Sequence, residues 1–287
     1  MPKKNLSSSG QTGPLSVGNV VSASLRIYRD HFKSYFGLAF TAYLWLLVPI
    51  YGWAKYSAIS GLISRLAYGE VRENPETVSD ANSEVNPRMW RFLWAGVLTS
   101  MIYIGVYLGF AIALLVVGVG AATIFGQNGR IIGGLLVAVG VIAFLIIYIR
   151  ILSRLLIVEV PLAIENNQSA SSAISRSWEL TKGSVGRIQW IVVVAFLVSL
   201  PVYIVSNVLT AIVQIVLLRI LGPESSLYFL FYWILIVGLS FGFGALLTPF
   251  WQAIKAIIYY DLRSRKEGLG LQMRDKKRDS NKPNTKK

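Results

Sequence analysis

Few residues of this 287-residue chain could do covalent chemistry. Gly238-Leu-Ser240-Phe-Gly242 matches the G-x-S-x-G pattern of a nucleophilic serine, which requires a strand–turn–helix setting and a histidine base. The pattern lies in an apolar stretch, and His31 is the one histidine of the sequence. The sequence has no cysteine, so disulfides, thiolate chemistry and cysteine-ligated metals are excluded. We therefore predict a protein that is not an enzyme and that uses no cofactor.

A second group of polar residues recurs at helical spacing within the apolar stretch 188–218. This polar stripe consists of Ser199, Tyr203, Ser206, Asn207, Thr210 and Gln214. Polar groups in lipid are costly unless they have partners, so the stripe must face other helices or water. It has no Asp, Glu, Lys or His and cannot relay protons by itself. Two interpretations stay open, namely hydrogen bonding between helices and a polar path or ligand cleft.

Basic residues gather at the ends of the apolar stretches. We predict that seven of them contact anionic lipid headgroups: Arg150, Arg154, Arg176, Lys182, Arg263, Arg265 and Lys266. Each Lys or Arg near a membrane surface adds about 1 kcal/mol of attraction to anionic lipid. Residues 255–287 alone carry 11 Lys and Arg, and lipid attraction explains this run more simply than nucleic-acid binding does. The predicted partners are membrane lipids, mainly anionic ones, and no nucleic acid; the sequence identifies no protein partner.

The composition places these groups in a membrane protein. The chain is 54% hydrophobic and 15% charged, whereas soluble domains carry about 25% charged residues. Five stretches without Asp, Glu, Lys or Arg reach or approach the about 20 residues with which an apolar helix crosses a bilayer. They cover 34–54, 92–129, 131–149, 188–218 and 225–254. Because lipid offers no partners to exposed backbone groups, we predict an all-α, polytopic transmembrane helix bundle.

The distribution of positive charge predicts how the chain crosses the membrane. Residues 1–33 and 255–287 together hold 16 of the 28 Lys and Arg, and the positive-inside rule places both termini in the cytoplasm. Five spans would place them on opposite sides. Residues 54–69, directly after a break predicted at Pro49 to Gly52, supply a sixth membrane segment, short or re-entrant, so we predict about six membrane helices.

Composition also divides the chain into three parts. Residues 1–15 are predicted to be a disordered N-terminal tail, 16–268 the membrane helix-bundle domain, and 269–287 a basic, disordered C-terminal tail. Within the domain, 16–33 and a helix between Ser169 and Gly183 have the pattern of amphipathic helices on the membrane surface.

Glycines four residues apart occur in two of the apolar stretches. Gly105 and Gly109 form one pair, and Gly238 and Gly242 form the other. Small residues at this spacing let two membrane helices approach closely. Close packing inside the bundle is the simpler interpretation, and the seam of a homo-oligomer is the alternative.

Two segments carry a more specific signal. One is Pro161-Leu-Ala-Ile-Glu165 with Ala173-Ile-Ser-Arg-Ser-Trp-Glu-Leu-Thr-Lys-Gly183, and the other is Tyr259-Tyr-Asp-Leu-Arg-Ser-Arg-Lys-Glu-Gly268. They resemble the glycerophosphoryl diester phosphodiesterase membrane domain, a bacterial family of six-helix membrane proteins. The resemblance implies an even number of spans with cytoplasmic ends. The phosphodiesterase chemistry of the family belongs to a separate soluble barrel, so the resemblance carries over no catalytic residue.

The predicted function is that of a non-catalytic scaffold or lipid-interacting membrane module. The predicted location is the bacterial cytoplasmic (inner) membrane, with an internal membrane as the alternative. The competing hypothesis is a passive transporter or channel component. It would require a continuous polar cavity lined by Ser206, Asn207, Thr210 and Gln214, whereas a scaffold would have a bundle closed by side chains.

Overall fold

The computed structural model describes residues 15–268, which form helices and no strand. The α-helices are α1 (Val17–Asp30), α2 (Phe32–Trp45), α3 (Tyr51–Val71), α4 (Val78–Val85), α5 (Met89–Ile124), α6 (Gly126–Leu155), α7 (Glu159–Ile164), α8 (Ala170–Thr181), α9 (Val185–Leu221) and α10 (Ser226–Lys266). A 3₁₀ turn, Asn86–Arg88, joins α4 to α5. The all-α prediction is confirmed for this part of the chain. The predicted disordered tails, apart from Leu15, lie outside the described residues.

Four helices of the described chain, α5, α6, α9 and α10, are long and apolar enough to cross a membrane. They contain most of four of the five predicted spans. The 41 residues of α10 correspond to about 60 Å at 1.5 Å per residue, about twice the thickness of a bilayer core. Such helices extend well beyond a membrane that they cross. The apolar helices support a multi-pass membrane protein, but the predicted count of about six is not confirmed.

The predicted span 34–54 is wrong as a single helix. It is interrupted between Trp45, the last residue of α2, and Tyr51, the first of α3. Pro49 has no N–H for a helical hydrogen bond, and Ile50 adopts a left-handed φ of 60°. The chain therefore turns back, and α3 packs beside α2. Residues 54–69 lie within α3, whose Lys55, Arg65 and Glu70 keep it more polar than the four long helices.

The core lies at one end of the molecule, which we call the base. There α1, α3, α7 and α8 pack around the adjoining ends of the long helices. Its largest fully buried side chains include Leu62, Ile63, Ile157, Leu162, Leu180, Ile188, Ile257 and Tyr259. The two ends of the described chain meet here, since the Leu15 N–H donates to Asp261 Oδ1 at 3.0 Å.

Two helical hairpins extend from the base. One is formed by α5 and α6, the other by α9 and α10. Their apolar side chains are largely exposed, as expected for helices that face acyl chains. The far ends of the hairpins carry polar residues: Asn128 and Arg130 in the first turns of α6, Arg219 in the last turn of α9, and Glu224 in the turn before α10.

The two predicted amphipathic helices are present, as α1 and α8. α1 buries Val20, Val21 and Ile27 against the base. α8 begins as predicted, because the Ser169 hydroxyl accepts a hydrogen bond from the Ser172 N–H and forms a capping box.

Neither predicted glycine pair packs against another helix of the described chain. A Cβ added to Gly105, Gly109, Gly238 or Gly242 would meet nothing within 4 Å. Close packing inside the bundle is therefore the wrong interpretation for both pairs, and the seam of a homo-oligomer stays a prediction. The hairpin of α5 and α6 is instead packed through Gly133 and Gly140, whose added Cβ atoms would meet Ala121 and Leu114.

Candidate functional site

A cavity of about 670 Å³ opens between the two hairpins where they leave the base. We call it the cleft. Its walls come from α5, α6 and α9, with α3 and α10 behind them. Most of the wall is apolar and includes Phe92, Ala95, Ile149, Leu152, Val192, Phe196 and Leu197. A pocket of this size and lining suits an apolar or amphipathic molecule.

The side of the cleft nearest the base is polar. There the Lys255 ammonium donates to Glu159 Oε1, joining α10 to α7. The two side chains are only 19% and 26% exposed, so the pair is partly withdrawn from solvent. Ser57 and Gln189 add further polar groups, and the Thr99 hydroxyl is buried without a hydrogen-bond partner. The cleft is therefore amphipathic along its length.

A second cavity, of about 460 Å³, lies among α2, α3, α9 and α10. We call it the polar cavity, because its lining includes Tyr43, Tyr56, Tyr203, Ser206, Ser240, Thr248 and Gln252. Tyr43 and Thr248 share a hydrogen bond of 3.3 Å, and the Ser64 hydroxyl donates to Gln252 Oε1 at 2.7 Å. Trp251 and Lys255 line both cavities and separate one from the other.

The structure divides the predicted polar stripe. Ser199 is buried and donates to the Ala195 carbonyl, while Tyr203 and Ser206 line the polar cavity. The Asn207 side chain is exposed and donates to the Tyr203 carbonyl within α9 at 2.8 Å. Thr210 is half-buried and Gln214 is exposed. Within residues 15–268 no stripe side chain hydrogen-bonds another helix, and of the four residues predicted to line a continuous channel only Ser206 lines the polar cavity.

Two of the seven predicted headgroup residues are held in ion pairs at the base. Arg176 donates to Glu165 Oε1 at 3.0 and 3.1 Å and also pairs with Glu267. Arg263 donates to the second oxygen of Glu267 at 2.7 Å. Burial tends to raise the pKa of Glu267, but hydrogen bonds from the two guanidinium groups outweigh it and hold that pKa below its ordinary value. Their partners are therefore carboxylates of this chain.

The other five predicted headgroup residues lie at the surface of the base. The Arg154 guanidinium lies 4.3 Å from the centre of the Trp178 ring, and the Lys266 ammonium donates to the Glu179 carbonyl at 2.6 Å. The remaining three are exposed and make no ion pair within the described residues: Arg150, Lys182 and Arg265. Of the seven predicted headgroup residues, these three are the most accessible to an external anion.

The positions of Glu159, Glu165, Lys255 and Asp261 beside the apolar stretches predict a cluster at the inner edge of the bundle, closed by Arg150 or Arg154 pairing with Glu159 or Asp261. The structure brings the four residues together at the base, but the predicted pairing is wrong. Lys255 and Glu159 pair with each other at the polar end of the cleft, and Arg187 pairs with Asp261.

Only the positions of these residues in the sequence indicate a role for them. Lys255 is the first charged residue after the apolar stretch 225–254, and Glu159 is the first acidic residue after 131–149. Position alone could not show that these charges pair across about 100 residues of sequence.

Comparison of the chain with protein-family models, with curated proteins and with solved structures gives no match. The resemblance of the segments around Arg176 and Asp261 to the glycerophosphoryl diester phosphodiesterase membrane domain therefore stays a prediction. The function has to be argued from the site itself.

Proposed function

We propose that this chain is a non-catalytic membrane module that binds a lipid in the cleft between its two hairpins. The cleft itself is the observation that supports this function. Apolar side chains of three helices form its walls, and the Lys255–Glu159 pair lies at the end nearest the base. A lipid has the same division, with acyl chains on one side and a polar headgroup on the other.

The length of α10 supports this orientation. Lys255 lies 29 residues from Ser226, or about 43 Å along the helix axis. If Ser226 marks the far boundary of a hydrocarbon core about 30 Å thick, Lys255 lies beyond the near boundary, at the depth of headgroups. The apolar walls then begin near the boundary itself. A lipid of the leaflet next to the base would bind with its headgroup at Lys255 and its chains between the hairpins.

The charges at the base suit an anionic headgroup. Arg150, Lys182 and Arg265 are exposed cations at this end of the molecule, and Gln189 and Ser57 supply neutral donors in the cleft. By the positive-inside rule we place the base and both termini in the cytoplasm of a bacterial cell, with the long helices in the inner membrane.

We further propose that α2 and α3 form a re-entrant hairpin. The Tyr43 ring contacts the Phe241 ring at 5.6 Å. Phe241 follows Ser226 by 15 residues of α10, or about 22 Å along the helix axis, which is within a hydrocarbon core that begins at Ser226. The tip of this hairpin exposes apolar side chains, with Leu47 at 64% and Ile50 at 60%. Because the sequence has no cysteine, single cysteines can test this placement. We expect Ile50→Cys to resist a membrane-impermeant maleimide from both sides and Asn128→Cys to react from the far side only.

The experiment that tests lipid binding compares two glycines of α5. Gly96 lines the cleft, Gly120 lies near the far end, and an added Cβ would meet nothing within 4 Å at either position. Gly96→Leu should place a bulky side chain in the cleft and obstruct it, whereas Gly120→Leu makes the same chemical change outside it. We expect native mass spectrometry of protein released from lipid nanodiscs to show fewer retained lipids for Gly96→Leu only. Equal lipid retention by the two variants would contradict the proposal.

A passive transporter is the second candidate, and the polar cavity favours it. Hydroxyl and amide groups from four helices converge there beside Lys255. Release of a small polar solute from proteoliposomes tests this function. We expect the transporter function to require Ser206 and Ser240, so release that is unchanged in Ser206→Val and Ser240→Val would contradict it.

A further inference from the structure

One face of α9 runs from the cleft to the far end of the molecule. Phe196 lies in the wall of the cleft, and its ring contacts the Tyr203 ring at 6.0 Å. Asn207 follows Phe196 by 11 residues and Gln214 by 18, which are about three and five turns of helix. The face that lines the cleft with an apolar ring therefore continues upward as Tyr203, Asn207 and Gln214.

These polar side chains are accessible in the part of α9 that must cross the membrane. Tyr203 is 40% exposed, and Asn207 and Gln214 are also exposed. The hydrogen bond from Asn207 to the Tyr203 carbonyl satisfies one amide donor. The side-chain oxygen Oδ1 of Asn207 and both polar side-chain atoms of Gln214 hydrogen-bond nothing within residues 15–268. Because acyl chains offer no hydrogen bonds, these groups require a polar partner inside the bilayer.

A different face of the same helix has the composition expected for contact with acyl chains. Ile204, Val208, Ile212 and Ile215 are each at least half exposed and are apolar. Polar residues of this part of α9 are thus confined to one side, which borders the cleft at Phe196 and the polar cavity at Tyr203. On the opposite wall of the cleft, α5 presents Ser100 and Tyr103, and Tyr107 lies one turn further up. A polar strip that begins directly beside a lateral cleft, at the ring contact of Phe196 with Tyr203, suits a molecule that enters through the cleft and moves along the strip.

The chemistry of the strip limits what could move. Tyr203, Asn207, Thr210 and Gln214 are neutral donors and acceptors, which can hydrogen-bond phosphate and ester oxygens without binding one headgroup charge tightly. No charged residue lies between Arg187 and Arg219, so the strip offers no group that could couple movement to a proton or an ion. The movement would therefore be passive and follow the lipid gradient.

We propose that lipid headgroups cross the bilayer along this strip of α9, so that the protein equilibrates phospholipids between the two leaflets. The headgroup would leave the cleft near Lys255 and pass Tyr203, Asn207 and Gln214, while its acyl chains stay in the surrounding lipid. This inference rests on the proposed function, because the cleft is the place where a lipid enters the path.

The test uses the full chain in phosphatidylcholine vesicles that contain a little phosphatidylglycerol and a trace of headgroup-labelled fluorescent phospholipid. Dithionite, which does not cross the bilayer, bleaches the outer leaflet, and bleaching of the inner leaflet then reports translocation. We expect the wild-type protein to carry labelled lipid from the inner to the outer leaflet, so that dithionite bleaches the label of both leaflets. The double variant Asn207→Leu, Gln214→Leu should slow the second phase about fivefold or more, because the loss of one typical hydrogen bond corresponds to about fivefold and the variant removes polar groups at two points of the path.

Two further variants make the test decisive. Val208→Leu with Ile215→Leu changes the apolar face of α9 and should leave translocation unchanged. Asn207→Ser with Gln214→Ser keeps polar groups on the strip and should retain translocation, which separates the loss of polarity from a change in fold. Both leucine variants should still retain lipid in native mass spectrometry.

Each other result overturns a stated part of the inference. If the wild type bleaches no faster than empty vesicles but retains lipid, translocation is refuted and the lipid-binding cleft stands. If Asn207→Leu, Gln214→Leu translocates at the wild-type rate, the strip is not the path. If that variant instead converts an oligomer into a monomer on size exclusion, the strip binds a polar helix of a second copy. If Gly96→Leu removes neither lipid retention nor translocation, the cleft is not the entrance and the proposed function fails as well.

Discussion

Glu165 connects three helices of the base, and its removal should weaken their packing. Its carboxylate accepts hydrogen bonds from Arg176 at 3.0 and 3.1 Å, from Gln168 at 2.7 Å and from the Tyr259 hydroxyl. It thus joins the end of α7 to α8 and α10. The side chain is 13% exposed, and that of Arg176 is 23% exposed, so water replaces these contacts only in part.

The magnitude follows from the geometry. Removing one partner of a fully buried ion pair costs about 3–5 kcal/mol. Arg176 keeps Glu267 as a second carboxylate, and neither Glu165 nor Arg176 is fully buried. Glu165→Ala should therefore lower the free energy of unfolding by about 3 kcal/mol, at the lower end of that range. Glu165→Gln keeps an acceptor for Tyr259 and should lose only about 1–2 kcal/mol.

The assay is the melting temperature of the detergent-purified protein, read as the folded fraction on size exclusion after heating. Glu224→Gln at the exposed far end of the hairpin of α9 and α10 is the matched control and should leave the melting temperature unchanged. In the double variant of Glu165→Gln with Arg176→Gln, the losses should be smaller than the sum of the single losses, since both remove the same pair. Additive losses, or equal melting temperatures for Glu165→Gln and Glu224→Gln, would refute this account of the base.

Three further changes probe other parts of the fold. Gly61→Ala should destabilise the protein by about 1–3 kcal/mol, because a Cβ at Gly61 would overlap the buried Phe92 ring where α3 crosses α5, and an unchanged melting temperature would contradict that contact. Ser169→Ala removes the capping hydroxyl of α8 and should cost about 1 kcal/mol in the same measurement; the idea fails if Ser171→Ala costs as much. The stabilisation from Glu267 is fully present above the ordinary carboxyl pKa of 4.5 and is lost as the pH falls through its lowered pKa in the folded protein. Melting temperatures measured across this acidic range should therefore fall less steeply for Glu267→Gln than for the wild type, and parallel curves would exclude the effect.

Local patterns predicted the four long helices and the start of α8. The charge-free stretches 92–129, 131–149, 188–218 and 225–254 lie largely in α5, α6, α9 and α10, because apolar content over 20 or more residues is a property of the segment itself. Ser169 was predicted to begin a helix, and it does so, because a capping hydroxyl acts on backbone groups only three residues away.

The stretch 34–54 shows where the same argument fails. Its apolar content matches that of a span, but Pro49 and the left-handed Ile50 break it into two helices. Hydropathy counts apolar residues and does not record whether the backbone can continue through them. The break also returns α3 into the base, where its buried face packs against α10.

The candidate site was predictable only in part. Arg176 and Arg263 have the composition and position of headgroup-binding residues, yet they pair with Glu165 and Glu267. Arg176 and Glu267 are separated by 91 residues, and no local pattern in the sequence reports a pair at that distance. The same holds for Lys255 and Glu159, which form the polar end of the cleft.

The amino-acid sequence by itself predicted a helical chain, apolar stretches long enough to cross a membrane, and cations that gather outside those stretches. These properties depend on side chains close together along the chain. The tertiary structure alone decided which cations pair with carboxylates, which glycines stay open, and that one polar face of α9 continues from a lateral cleft. Those properties depend on contacts between distant segments, because a charge or a polar group acquires its partner only when the helices pack.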